Sequence, residues 1–206
     1  WMVERLTSED IGAKLDDIAF CQLCAMRCKM HFGEKYKDAY NMLQNAYSIV
    51  EAANYDSGID IKTIVKRYQE KDCLIDFAYR KFYFYYDRME DIGVYEQLQT
   101  LIENIYTNEY LNDLLPKWNQ AFMEKEWFSI LPLQRNFYNH FVNQAKERTV
   151  VLVSDAMRYE VGWELFQRLN KNPRCTVKLS AMMGVLPSYT RLGMAALLPH
   201  KSLVIK

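Results

Sequence analysis

The stretch TVVLVSDAMRYE, Thr149–Glu160, decides how the fold is read. Val150, Val151, Leu152 and Val153 form a short, β-branched apolar run, the pattern of a buried strand. Ser154 and Asp155 follow it. Asp155 is thus expected at the C-terminal end of a strand, the edge of an open α/β sheet where ligands bind. A carboxylate there has two explanations. It caps the next helix, or it is an oxygen ligand for a hard or borderline divalent ion. The stretch alone leaves both open.

Downstream, AMRYEVGWELFQRLNK has helical spacing through Tyr159, Leu165 and Leu169. CTVKLSAMMGVLP, from Cys175, reads as a strand running into a loop. SYTRLGMAALL, from Ser188, reads as a short helix ended by Pro199, and SLVIK as the next strand. This alternation predicts a mostly parallel sheet. Upstream, glycine is rare and apolar residues recur at three and four. Helices are expected over 7–33, 34–58, 59–90 with a break near Lys71, 95–115 stopped by Pro116, 117–127 and 134–148. The expected fold class is α+β: a mostly α-helical region over residues 1–146, then the truncated start of an α/β domain over 147–206.

The 206 residues are half hydrophobic, and 26 Lys and Arg balance 26 Asp and Glu. No global charge points to nucleic acid or a membrane surface. From Glu147 onward nine Lys or Arg stand against four Asp or Glu, which suits an anionic ligand there. There is no apolar run of about 18 residues and no signal peptide. Five cysteines, an odd number, point to reduced thiols and a cytoplasmic setting. The chain opens on Trp1 and stops inside an apolar run, so it reads as a fragment of a longer protein.

Two constellations in the helical region have a functional and a packing reading. Cys21, Cys24, Cys28 and His31 carry four zinc-ligand types at spacings of three, four and three. On a straight helix they make a stripe about 15 Å long. One ion needs all four ligand atoms within about 2.3 Å of itself, so a packing face is expected. Tyr79, Phe82, Tyr83 and Tyr86 form an aromatic stripe beside Arg80, Lys81 and Arg88. Such a stripe can stack nucleic-acid bases. The adjoining acidic residues favour packing with the hydroxyls at the rim. The carboxylates in RMED and MEKEW read as solvated faces.

Thr190 precedes the short helix of the α/β region. Its hydroxyl would meet the positive end of a helix dipole and free N–H groups, where a phosphoryl group is well held. Metal coordination can turn such a hydroxyl into a nucleophile. Asp155 and Thr190, 35 residues apart, could therefore share one ion, with Arg158 and Arg191 as phosphate contacts. A cap is the plainer role for Thr190.

Taken together, VVLVSDAMRYEVGWEL and GVLPSYTRLGMAALLPH resemble the PglZ family of the BREX and Pgl phage-defence systems, which is similar to the alkaline phosphatase superfamily. The resemblance covers roughly residues 147–206. It implies that Asp155 is the superfamily's first metal-binding aspartate and Thr190 its metal-bound nucleophile. Attack by Thr190 on a phosphorus ester would give a phosphothreonine, released by metal-activated water. The implied cofactor is a divalent metal, zinc first, with manganese or magnesium as alternatives. Arg158, Tyr159 and Glu160 share the first motif without assigned roles. The superfamily's later Asp and His ligands have no counterpart here, and His200 is a motif residue rather than a ligand. The segment alone is therefore expected to be inactive. The second functional reading is a helical scaffold without catalysis. Its implied partners are other BREX components, including the adenine methyltransferase. Phosphorylated-aspartate domains also place Asp at a strand end, but the dehalogenase type usually has a second Asp where Met157 stands.

Overall fold

The structure, a computed structural model, describes residues 1–53, 55–56, 58, 60–123 and 130–203. The α-helices are α1 (Met2–Thr7), α2 (Phe20–Arg27), α3 (Gly33–Glu51), α4 (Ile61–Arg67), α5 (Cys73–Tyr86), α6 (Glu96–Asn104), α7 (Asn112–Met123), α8 (Tyr159–Leu169) and α9 (Thr190–Leu197). A two-residue hairpin pairs β1 (Lys14–Leu15) with β2 (Ile18–Ala19), antiparallel. The chain divides into two compact units, Trp1–Gln120 and Ala121–Lys206. This division falls after Gln120, whereas the boundary expected from sequence lies between residues 146 and 147. No helix among the described residues is long and apolar enough to cross a membrane.

The first unit is built on the apolar stripes. α3 buries Ala39, Met42, Leu43, Ala46, Ile49 and Val50, a run at three and four. Met42, Leu43, Ala46, Ile49 and Val50 share one core with Leu6, Phe20, Phe82, Leu98 and Ile102. Burying each large side chain there contributes about 1.5–3 kcal/mol. α4 starts where Asp60 accepts a bond from the Thr63 amide at 2.9 Å. The break expected near Lys71 is a π-helical turn, Tyr68–Asp72. Asp72 is buried there, accepting from the Tyr55 hydroxyl at 2.6 Å and pairing with Arg67 Nε at 3.1 Å. A buried carboxylate without such partners would cost several kcal/mol.

The aromatic stripe of α5 packs inward. Phe82 is fully buried. Tyr79 and Tyr83 donate to Glu103 at 2.7 and 2.6 Å, and Gln99 Nε2 donates to the Tyr83 hydroxyl at 2.8 Å. The Tyr79 ring stacks on Tyr106 with centroids 3.6 Å apart. These rings and hydroxyls are occupied within the unit.

Several expected elements differ. The single helix over 7–33 is instead α1, the hairpin and α2. Asp16 and Asp17, at φ 51° and 62°, form the two-residue loop. Left-handed backbone at both positions matches the strand twist, and Asp tolerates it better than most residues. Pro116 does not end a helix but lies inside α7. The wide π-helical turn just before it, Ile105–Leu111, is the kind of place where a helix absorbs a proline. Over 134–148 there is a 3₁₀ turn, Gln134–Asn136, and a π-helical turn, Tyr138–Val142, rather than one helix.

The second unit has the expected helices α8 and α9. The strands expected from Thr149 and Cys175 form no ladder among the described residues. Val150 and Leu152 are 73% and 91% exposed. A strand exists through its neighbours' hydrogen bonds, and none of the described segments lies alongside this one. Met183 instead makes one parallel bridge with Leu133. Of the strand expected at SLVIK, Val204–Lys206 lie outside the described residues, as do Glu124–Trp127 of MEKEW.

Candidate functional site

Asp155 and Thr190 come together. Thr190 Oγ1 donates toward the Asp155 carboxylate and lies 3.4 Å from both Oδ1 and Oδ2. Both residues are exposed. Neither is a helix cap: the residue capping α8 is Arg158, and the one capping α9 is Tyr189, with no side-chain capping bond at either. The plain explanation for both side chains is therefore absent.

The local backbone accounts for the placement. Asp155 enters a tight turn in which Ala156 takes φ 53°. A left-handed alanine costs about 1–2 kcal/mol, and such strain collects at functional sites. The Ala156 amide donates to Asp155 Oδ1 at 3.0 Å, and the Arg158 amide donates to the Ala156 carbonyl at 3.0 Å. Thr190 is the first residue of α9. With no side chain capping that helix, its opening N–H groups are donors for an anion.

The two arginines are placed differently. Arg158 Nε lies 3.6 Å from Glu160 Oε1, and the Arg158 side chain is 70% exposed. Arg191 is exposed on α9. Among the described residues, no hydrogen bond or ion pair joins either one to Asp155 or Thr190. Glu160, which shares the Asp155 motif, is the buried member of it. It is 1% exposed in the first turn of α8, where a carboxylate suits the helix dipole. Its only sequence signal is membership of the Asp155 motif.

Asp155 and Thr190 supply two oxygen donors of the kind a hard or borderline divalent ion takes. They fit part of such a coordination sphere. Among the described residues, no group of three His, Cys, Asp or Glu converges to hold an ion. This includes the cysteine stripe: Cys24 is fully buried on α2, Cys21 and Cys28 are half-buried, and His31 packs its ring against Phe32. Burial pushes the Cys24 thiol up to about 12 and raises Cys21 and Cys28 as well. A thiol held neutral in a core packs as a small hydrophobe.

A cavity of about 740 Å³ opens beside α9, lined by Gln134, Arg135, Asn139, Met183, Leu192 and His200 among others. The sequence marks Gln134 only as part of an expected helix. Its amide Oε1 accepts from the Val185 N–H at 2.9 Å, and its Nε2 donates to the Gly193 carbonyl at 3.2 Å.

Residues 133–206 match the family described as the BREX system PglZ alkaline phosphatase-like domain. The chain is 38% identical over 214 residues to the alkaline phosphatase-like protein PglZ of Bacillus cereus (strain H3081.97). It is 36% identical over 221 residues to the alkaline phosphatase-like protein BrxZ of Escherichia coli O9:H4 (strain HS). Each match covers 98% of this chain and 25% of the relative, so the chain spans about a quarter of the length of these relatives. No solved structure matches the chain.

Proposed function

Because the chain belongs to the PglZ family through residues 133–206, we propose that it carries part of a phosphoester-hydrolysing site serving a bacterial phage-defence system of the BREX type. The observation that carries this reading is the 3.4 Å approach of Thr190 Oγ1 to both oxygens of Asp155. Thr190 is the nucleophile. Asp155 and Thr190 would hold a divalent ion, zinc by resemblance and otherwise manganese or magnesium. That ion supplies the charge that lets a hydroxyl ionise near neutral pH.

Thr190 Oγ1 gives up its proton to solvent water and bonds to phosphorus. The ester oxygen leaves with the electron pair of its own bond to phosphorus. Water then breaks the bond between Thr190 and phosphorus and restores the hydroxyl. The opening N–H groups of α9 offer donors to the phosphoryl oxygens. Arg158 and Arg191 add positive charge near them. With two donors gathered among the described residues, the 206-residue segment hydrolyses nothing at a measurable rate.

The test uses a full-length protein containing this segment. Hydrolysis of bis(p-nitrophenyl) phosphate is followed with zinc, manganese and magnesium in turn. Metal-dependent turnover lost in Thr190→Ala supports the assignment, and equal rates from both proteins overturn it. A metal-dependent rate from the 206-residue chain, abolished by Thr190→Ala, would refute the inactivity of the segment.

A second reading has the first unit dock other components of the defence assembly in the cytoplasm, the adenine methyltransferase being the partner to test. It is favoured by exposed apolar side chains, among them Phe84 and Val94, the latter 61% exposed. Co-purification from the full-length protein should drop in a Phe84→Ala, Val94→Ala variant. Unchanged recovery of the methyltransferase excludes this face.

A further inference from the structure

Thr190 is preceded by a loop that starts at Met183 and followed by the helix α9, and one side chain touches both. The Gln134 amide bonds Val185, five residues before Thr190, and Gly193, three residues after it. Two backbone bonds anchor the same point. The Gln134 N–H donates to the Met183 carbonyl at 2.9 Å, and the Met183 N–H donates to the Pro132 carbonyl at 2.8 Å. Residues 132–134 thus grip the start of the loop and the first turn of α9 together.

The chemistry requires an amide. The Val185 N–H needs an acceptor, and the Gly193 carbonyl takes a donor. A planar carboxamide supplies both at a fixed separation, whereas a carboxylate supplies acceptors alone. Gln134 is partly buried, and a Cβ added at Gly193 would meet its Nε2 at 3.5 Å, so the amide lies against the helix backbone.

We infer that Gln134 is a positioning residue for Thr190, setting where its hydroxyl stands relative to Asp155 and the phosphoester. This rests on the proposed role of Thr190 as nucleophile. A displacement of the order of 1 Å at a reacting atom lowers turnover about 100-fold. Gln134→Met keeps the length of the side chain and removes both bonds. Gln134→Glu keeps the acceptor for Val185 and loses the donor to Gly193.

The experiment uses a full-length protein containing this segment, its Gln134→Met, Gln134→Glu and Thr190→Ala variants, and bis(p-nitrophenyl) phosphate as the probe. In Gln134→Met, kcat should fall about 100-fold, with KM within about twofold and the melting temperature nearly unchanged. Gln134→Glu should recover part of that loss. Amide exchange at Val185, whose N–H donates to Gln134 Oε1, should rise about tenfold in Gln134→Met. An unchanged kcat where wild-type turnover depends on Thr190 overturns the inference and leaves the proposed function standing. If turnover never depends on Thr190, the proposed function falls, and exchange decides whether Gln134 places this segment. Unchanged protection at Val185 then overturns the inference too.

Discussion

Thr190 Oγ1 stands 3.4 Å from each carboxylate oxygen of Asp155, across 35 residues of chain. One residue opens α9 and the other sits in a strained turn before α8, yet neither caps its helix. A hydroxyl and a carboxylate held together at a helix start are donors of the types that the proposed divalent-ion and phosphoryl site requires. In a full-length protein containing this segment, Asp155→Ala should remove bound metal, read as metal per protein by elemental analysis. Phosphodiesterase turnover should fall about 1,000-fold or more. Retained metal and retained turnover together would remove Asp155 from the site.

The Glu103 network predicts a pH dependence. Hydrogen bonds from Tyr83 and Tyr79 hold the Glu103 carboxyl below the usual range. Its folded value is depressed, so its contribution is present above the unfolded value of about 4.3 and is lost as pH falls through the folded value. The melting temperature of the 206-residue chain should exceed that of Glu103→Gln near neutral pH, and the gap should close in acid. A gap that stays constant down to pH of about 3 contradicts the assignment.

At the alkaline end, burial and the bond to Glu103 raise the Tyr79 hydroxyl far above its ordinary range. That contribution is complete below the unfolded value of about 10 and is lost as pH rises toward the folded one. Tyr79→Phe should therefore lose about 1 kcal/mol at neutral pH. Above pH of about 10.5 it should hold its melting temperature better than the parent chain. Parallel melting curves for the two proteins through that range would rule this out.

Thiol reactivity should follow burial. Cys175 is exposed, whereas Cys24 is fully buried with its thiol pushed up to about 12. The thiolate is the reactive form. Iodoacetamide at neutral pH should label Cys175 first and Cys24 only after unfolding, read by peptide mass spectrometry. Early labelling of Cys24 would show that the packing face on α2 opens readily.

The hairpin offers a stabilising change. Asp17 lies at φ 62°, where an L side chain is strained and glycine is not. Asp17→Gly should raise stability by about 0.5–1 kcal/mol, part of the relief being offset by the freer unfolded chain. Chemical denaturation of the 206-residue chain measures it, and a loss of 1 kcal/mol or more would mean that the Asp17 side chain has a role of its own.

The helices were legible because their bonds are local. An i to i+4 ladder leaves its periodicity in the order of residues, so a helix was expected over 34–58 and is found as α3. The motif around Asp155 and Thr190 was legible as a pattern of residue types. The turn at Asp16–Asp17 was missed because two acidic residues inside a helical spacing resemble a solvated face. What stayed hidden depends on partners far along the chain. Val150–Val153 has the composition of a strand, but a ladder needs a neighbour, and the described residues place none beside it. The Asp155–Thr190 contact spans 35 residues, and the bonds of Gln134 to Val185 and Gly193 span 51 and 59. Such contacts leave no periodicity to read. They exist once packing has brought distant segments within hydrogen-bonding reach, and for that reason three-dimensional structure alone reveals Gln134.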